Sequence, residues 1–264
     1  MTPTSGHRQD RRVGPVFPPP ESIALFLDFD GTLVEFALTP DEVEVDDGLP
    51  ILLRRLSNAM HGALAVISGR PLASIDALLR LPQLSIIGQH GAEMRHADGH
   101  IDRSALSSQS LDDVRVELRA LAAEMPDVRI EDKGLAIAFH YREVPRAEPQ
   151  ARQLAAEALR CAGSGFELLH GNCVIELKSV RVDKGRALAA MMSEPPFAGR
   201  IPWMIGDDHT DEPAFATAQA LGGTGVIVGT TRPSVAHATL PNVTAARKWL
   251  ADFAAQPRKA AQAA

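Results

Sequence analysis

Asp28 and Asp30, two carboxylates separated by one residue and followed at once by Gly31 and Thr32, end the apolar run Ile23-Ala24-Leu25-Phe26-Leu27. Like charges this close raise one another's pKa and resist joint ionisation. A hard divalent cation relieves the conflict, because carboxylate and carbonyl oxygens suit Mg²⁺. A second acidic cluster, Gly206-Asp207-Asp208-His209-Thr210-Asp211-Glu212, follows the apolar Trp203-Met204-Ile205. Between the two lie Ser68-Gly69-Arg70 and, opening a helical pattern, Asp183-Lys184-Gly185. The set fits attack of a carboxylate on phosphorus to give an aspartyl-phosphate. That reaction needs a cation, donors for the equatorial oxygens and a proton for the departing alcohol. In this chemistry Asp28 attacks, and Asp30 serves as general acid, then as general base for water. Ser68 donates to the phosphoryl group and Lys184 offsets its charge. Asp207, with Asp28 and the Asp30 carbonyl, holds Mg²⁺. Asp208 and Asp211 orient ligands and water or cap the following helix.

These residues lie far apart in the chain, so a scaffold must gather them. Apolar runs at 23–29, 63–67, 84–87, 202–205 and 224–228 read as strands. Amphipathic stretches at 49–60, 72–80, 184–192, 212–220 and 244–254 read as helices. Strands spaced by helices predict βαβ units and a mostly parallel α/β sheet. Ligands of such sheets bind outside the carboxyl ends of the strands, where Asp28, Ser68 and Asp207 fall.

The middle of the chain breaks the pattern. Leu111–Met125 and Ala151–Cys161 read as helices, and Val128–Asp132, Leu135–Arg142, Phe166–His170 and Cys173–Lys178 as strands. Lys133-Gly134 and Gly171-Asn172 mark the two hairpin turns, the first with an open register. The order helix, hairpin, helix, hairpin predicts a small α+β cap over 108–180. It is inserted into a core made of 22–107 and 181–256. Residues 1–21, with Pro3, Pro15, Pro18, Pro19 and Pro20, read as a flexible arm, and 257–264 as a flexible tail.

The chain of 264 residues has 45% hydrophobic and 23% charged residues, an ordinary globular balance. Its net charge of −6 argues against nucleic acid as a partner but leaves phosphorylated small molecules open. Two cysteines suggest no disulfide framework and fit a reducing, cytoplasmic setting. No apolar run reaches the ~18 residues of a membrane span. A monomer is expected.

The four elements in this order resemble the haloacid-dehalogenase superfamily of phosphotransferases. The resemblance covers residues 22–254 and implies a Rossmannoid parallel-sheet core with an inserted cap. Further signatures narrow it: Gly88-Gln-His90-Gly91-Ala-Glu93, Glu131-Asp-Lys133-Gly134, Phe139-His140-Tyr141-Arg142 and Gly171-Asn-Cys-Val-Ile-Glu176-Leu-Lys178. With Gly206 to Glu212, they resemble the trehalose-6-phosphate phosphatases. That resemblance implies Mg²⁺-dependent hydrolysis of trehalose 6-phosphate, a phosphoric monoester, to trehalose and phosphate. It also implies that Glu131, Lys133, Arg142, Glu176 and Lys178 hold the glucosyl hydroxyls and phosphate, with Arg70, His90 and Glu93 contributing from the core. Strand alternation agrees, since Glu131 with Lys133, His140 with Arg142, and Glu176 with Lys178 each share a face. The catalytic core alone does not separate this reading from a phosphatase for sucrose or glucosylglycerol phosphate. A sugar-phosphate-binding regulator of a synthase, or a phosphotransferase that uses another sugar in place of water, also stays open.

Overall fold

The computed structural model describes residues 18–103, 111–229 and 232–256. The expected arm up to residue 17 and the expected tail 257–264 lie outside the described residues. Of the arm, Pro20–Ser22 form a short 3₁₀ turn with Pro20 buried, leading directly into the first strand.

The first half of the core runs β1 (Ile23–Asp28), α1 (Gly48–Ala59), β2 (Leu64–Ile67), α2 (Leu72–Leu79), β3 (Ser85–Gly88), β4 (Glu93–Arg95) and β5 (Ile101–Arg103). The cap follows as α3 (Asp112–Ala122), β6 (Arg129–Asp132), β7 (Ile137–His140), α4 (Glu148–Ala162), β8 (Phe166–Gly171) and β9 (Val174–Ser179). The chain then returns through α5 (Lys184–Met191), β10 (Ile201–Gly206), α6 (Glu212–Ala220), β11 (Thr224–Val228), β12 (Ala238–Leu240) and α7 (Val243–Ala254).

Among the described residues the core sheet has eight strands in the order β12-β11-β10-β1-β2-β3-β4-β5. Every residue of β1 and β2 is buried, as befits parallel strands covered on both faces. Helices pack in pairs on this sheet, α1 with α7 and α5 with α6. From β12 to β3 the pairs are parallel, whereas β3-β4 and β4-β5 are antiparallel. β1 lies between β2, which follows it, and β10, which arrives only after the cap. Connections therefore leave in opposite directions on the two sides of β1, which opens a crevice at the carboxyl ends.

The cap sheet is fully antiparallel, β6-β7-β9-β8. One face, with Ile137, Phe139, Ile175 and Leu177, joins Val114, Leu118, Ala151 and Leu154 of α3 and α4 in a second apolar core. The alternate residues face away from the helices. The register sets Glu131 beside Ala138 and Ala138 beside Glu176, so both glutamates share that outer face. The second hairpin turns at Asn172-Cys173, one residue later than the sequence suggests, because Gly171 pairs with Val174. Cys173 takes the left-handed conformation at φ 58°.

Candidate active site

Asp28 ends β1, Ser68 follows β2, Asp207 follows β10, and Lys184 is the first residue of α5. A cation opening a helix opposes the helix dipole, so its partners must hold it there. Lys184 Nζ lies 2.6 Å from Asp28 Oδ1 and 2.6 Å from Asp211 Oδ1, and all three residues are buried. Asp211 Oδ2 accepts from the backbone N–H groups of Asp207 at 2.9 Å and Asp208 at 3.0 Å. Asp211 thus fixes both the loop that presents Asp207 and the lysine that faces Asp28. Thr32 Oγ1 donates to Asp207 Oδ1 at 3.2 Å. Asp208 accepts from His209 N–H at 2.7 Å and caps the turn before α6.

Ligand oxygens of Asp28, Asp207 and Asp211 lie within 4.8 Å of one another. Three carboxylates face one ammonium, so full ionisation leaves two negative charges uncompensated. Burial, then Asp211, push the Asp28 carboxyl well above its usual range, against the pull of Lys184. Burial, then Asp211 and Asp208, push Asp207 up to about 7. An all-oxygen donor set with excess negative charge fits a hard divalent cation.

Ser68 is buried, and its Oγ accepts from Arg70 N–H at 3.1 Å, which leaves the hydroxyl proton for a ligand oxygen. Arg70 grips Asp30 with two donors, Nε to Oδ2 at 2.7 Å and Nη2 to Oδ1 at 2.8 Å. Its Nη1 donates to the Pro40 carbonyl at 2.9 Å. Arg70, expected to reach a substrate, therefore positions Asp30 in this conformation; a mostly buried guanidinium binds the nearest carboxylate bidentately.

One cavity of about 190 Å³ is lined by Asp28, Asp30, Ser68, Arg70, His90 and Lys184 from the core, and by Glu131, Lys133, His140, Arg142 and Glu176 from the cap. Lys133 closes it, with Nζ 3.1 Å from the Gly69 carbonyl and 3.0 Å from Glu176 Oε2. His90 Nε2 lies 3.3 Å from the same Glu176 oxygen. Gly69 has no Cβ for a reason: one there would stand 2.6 Å from His90 Nε2. Burial holds the His90 pKa down against the pull of Glu176, so the neutral ring donates through Nε2. Burial opposes ionisation of Glu176, but Lys133 and His90 outweigh it and hold that carboxyl well below its usual range. Two buried acceptors, Glu176 Oε1 and His90 Nδ1, have no protein partner. They suit a ligand rich in hydroxyl donors. Beside them, burial opposes the Glu131 charge, while His140 at 2.8 Å and Lys133 favour it and lower the pKa overall.

Two expected substrate contacts are placed elsewhere. Lys178 shares the pocket face but sits farther along β9, where Nζ binds Glu167 at 2.6 Å and the Val182 carbonyl at 2.7 Å. Glu93 accepts from Leu72 N–H at 2.9 Å and from Arg103 at 3.3 Å, tying the start of α2 to β4 and β5. Neither lines the cavity. Phe36, Ala37 and Leu38, which the sequence did not mark, do line it. Their only signal was an apolar triplet a few residues beyond the acidic motif, after Leu33-Val34-Glu35.

A family model described as trehalose-phosphatase matches residues 26–245. A probable trehalose-phosphate phosphatase of Sinorhizobium fredii is 42% identical over 232 residues, 88% of this chain and 87% of the relative. The trehalose-6-phosphate phosphatase of Escherichia coli is 40% identical over 222 residues, 83% of each chain. The crystal structure of a trehalose-6-phosphate phosphatase related protein superposes with a TM-score of 0.74 at 29% identity, covering 88% of this chain and 97% of that one. Matched over most of its length by the family model and by both relatives, the chain belongs to the trehalose-phosphatase family, on the haloacid-dehalogenase fold.

Proposed function

We propose that this protein hydrolyses trehalose 6-phosphate to trehalose and phosphate, with Mg²⁺ as cofactor and an aspartyl-phosphate on Asp28 as intermediate. The observation that carries the reading is a single cavity with Asp28, Ser68 and Lys184 on one wall and hydroxyl-binding groups of the cap on the other. Asp28 attacks phosphorus in line, the bond from phosphorus to the sugar oxygen breaks, and Asp30 gives that oxygen a proton. Asp30 then takes a proton from water as the water attacks phosphorus and frees Asp28. Arg70, bound to both oxygens of Asp30, fixes where that carboxyl stands in the cavity. Ser68 and Lys184 steady the phosphoryl oxygens. Asp28, Asp207 and the Asp30 carbonyl would hold Mg²⁺, which supplies charge compensation at phosphorus. Lys133, bound to Gly69 and Glu176, keeps the cap seated and bulk water out. Glu131, Lys133, Arg142, Glu176 and His90 hold the sugar.

No described helix is long and apolar enough to cross a membrane. Cys161 and Cys173 are free thiols, which supports residence in the reducing cytoplasm.

Phosphate release across trehalose, sucrose, glucose and glucosylglycerol phosphates, with Mg²⁺ or with a chelator, tests the reading. A Mg²⁺-dependent preference for trehalose 6-phosphate of about a hundredfold, ~2.7 kcal/mol in the transition state, is expected. Uniform weak activity on all four would keep the catalytic core and remove the sugar assignment.

Gly31 gives a second test of the metal site. Its φ is +84°, and a Cβ there would stand 2.4 Å from Asp207 Oδ2. Displacing a ligand through its neighbour costs about 10- to 100-fold in metal affinity. Gly31→Ala should therefore weaken Mg²⁺ binding by at least about tenfold in calorimetric titration; unchanged affinity would move the metal away from Asp207.

A further inference from the structure

The loop after β1 brings Phe36, Ala37 and Leu38 to the cavity, and the phosphoryl chemistry uses none of them. Phe36 is 41% exposed and Leu38 64% exposed, so neither serves to fill the core. Phe36 is nonetheless held in place. The Arg142 guanidinium lies 4.9 Å from its ring centroid, and Arg142 is anchored by the Asn172 carbonyl at 2.6 Å. At the other end, the ring Cζ lies 2.6 Å from where a Cβ of Gly31 would stand. Phe36 also borders a second cleft of about 470 Å³ that reaches Asp207, His209 and Arg232. The ring therefore stands between the two spaces.

A pyranose carries C–H groups on its faces and hydroxyls around its rim. A site for one joins an aromatic surface to a few well-placed polar groups. We propose that Phe36, capped by Arg142, is a specificity-determining wall of the sugar cavity: its ring packs on a pyranose C–H face while Arg142 takes hydroxyls beside it. The ring belongs to the core and the guanidinium to the cap, so the wall is complete only when the cap is seated. A phosphate ester without a pyranose gains nothing from it. The inference deepens the sugar-phosphatase reading and rests on it.

The test compares kcat/KM on trehalose 6-phosphate with kcat/KM on glycerol 3-phosphate. For Phe36→Ala this ratio falls at least about tenfold, mainly through KM on the sugar ester, as expected for a lost apolar contact. Phe36→Tyr keeps the ring and restores the ratio to within about threefold, since one aromatic face replaces another. Because ring and guanidinium act as a unit, the double variant Phe36→Ala/Arg142→Ala loses no more than the worse single variant. Parallel losses on both esters, no loss on either, or additive losses would overturn the wall. If the wild type prefers another sugar phosphate, the ratio is measured with that ester, and the wall is judged separately from the substrate assignment. A wild type inactive on every sugar phosphate sinks both.

Discussion

Asp28→Asn is expected to lower kcat by about 10⁴-fold or more, the scale on which losing a nucleophile is felt, while the protein stays folded. An amide oxygen keeps the shape of the carboxylate and accepts from Lys184 Nζ, now 2.6 Å from Asp28 Oδ1. It cannot attack phosphorus. Nor does the fold need the charge, because burial and Asp211 already oppose ionisation of Asp28. Removing one of three clustered carboxylates relieves repulsion, so in the absence of divalent cation the melting temperature should hold or rise. The variant should also gain less from added Mg²⁺, having lost a ligand; binding to the native state alone is what raises stability. Phosphate release and thermal melts with and without Mg²⁺ read all three effects. Near-normal turnover by the amide would remove Asp28 from the role of nucleophile.

The parts of this molecule that were legible in the sequence are those where burial and periodicity coincide. β1, β2, β10 and β11 are buried along most or all of their length and stand out as apolar runs. Their carboxyl ends carry the acids, so the parallel sheet and the catalytic carboxylates could be read together. β4, β5 and β12 have three residues each, too few to show a period, so both edges of the core sheet, antiparallel at β4-β5 and parallel at β12, went unread. Period two identified the polar face of the cap but not distance along it. Glu176 and Lys178 share that face, yet the register puts Lys178 opposite Glu167, away from the cavity. Pairings between distant residues were equally silent: nothing in the spacing says that Arg70 would bind Asp30 or that Glu93 would hold the start of α2. Phe36 lies in a loop, where no period exists to set it apart.

The second large effect concerns Lys184, the only cation that contacts both Asp28 and Asp211 among the described residues. Burial works against its charge, but Asp211 and Asp28 outweigh burial and raise its pKa well above the usual lysine range. The lysine itself therefore stays charged across the neutral range, and any pH dependence comes from the carboxyls around it. Lys184→Met keeps the length of the chain and strands the carboxylates, and breaking a buried pair in this way costs about 3–5 kcal/mol. The cost depends on pH, with a definite sign. Asp207 titrates near 7 in the folded protein and near ~3.9 when unfolded. The folded state thus binds more protons between these values, and stability falls as pH rises through that window. Without Lys184, Asp28 and Asp207 are pushed higher still, so the window extends upward. The deficit of the variant should be largest near pH 8 and shrink towards pH 5.5, where protonation replaces the missing ammonium. Urea unfolding of both proteins at the two pH values, free of divalent cations, measures it. A deficit independent of pH would mean that the stranded carboxylates are not what the lysine holds in check. Turnover should fall with it at every pH, because the charge that steadies the phosphoryl oxygens is the same charge that lets three carboxylates share one buried corner.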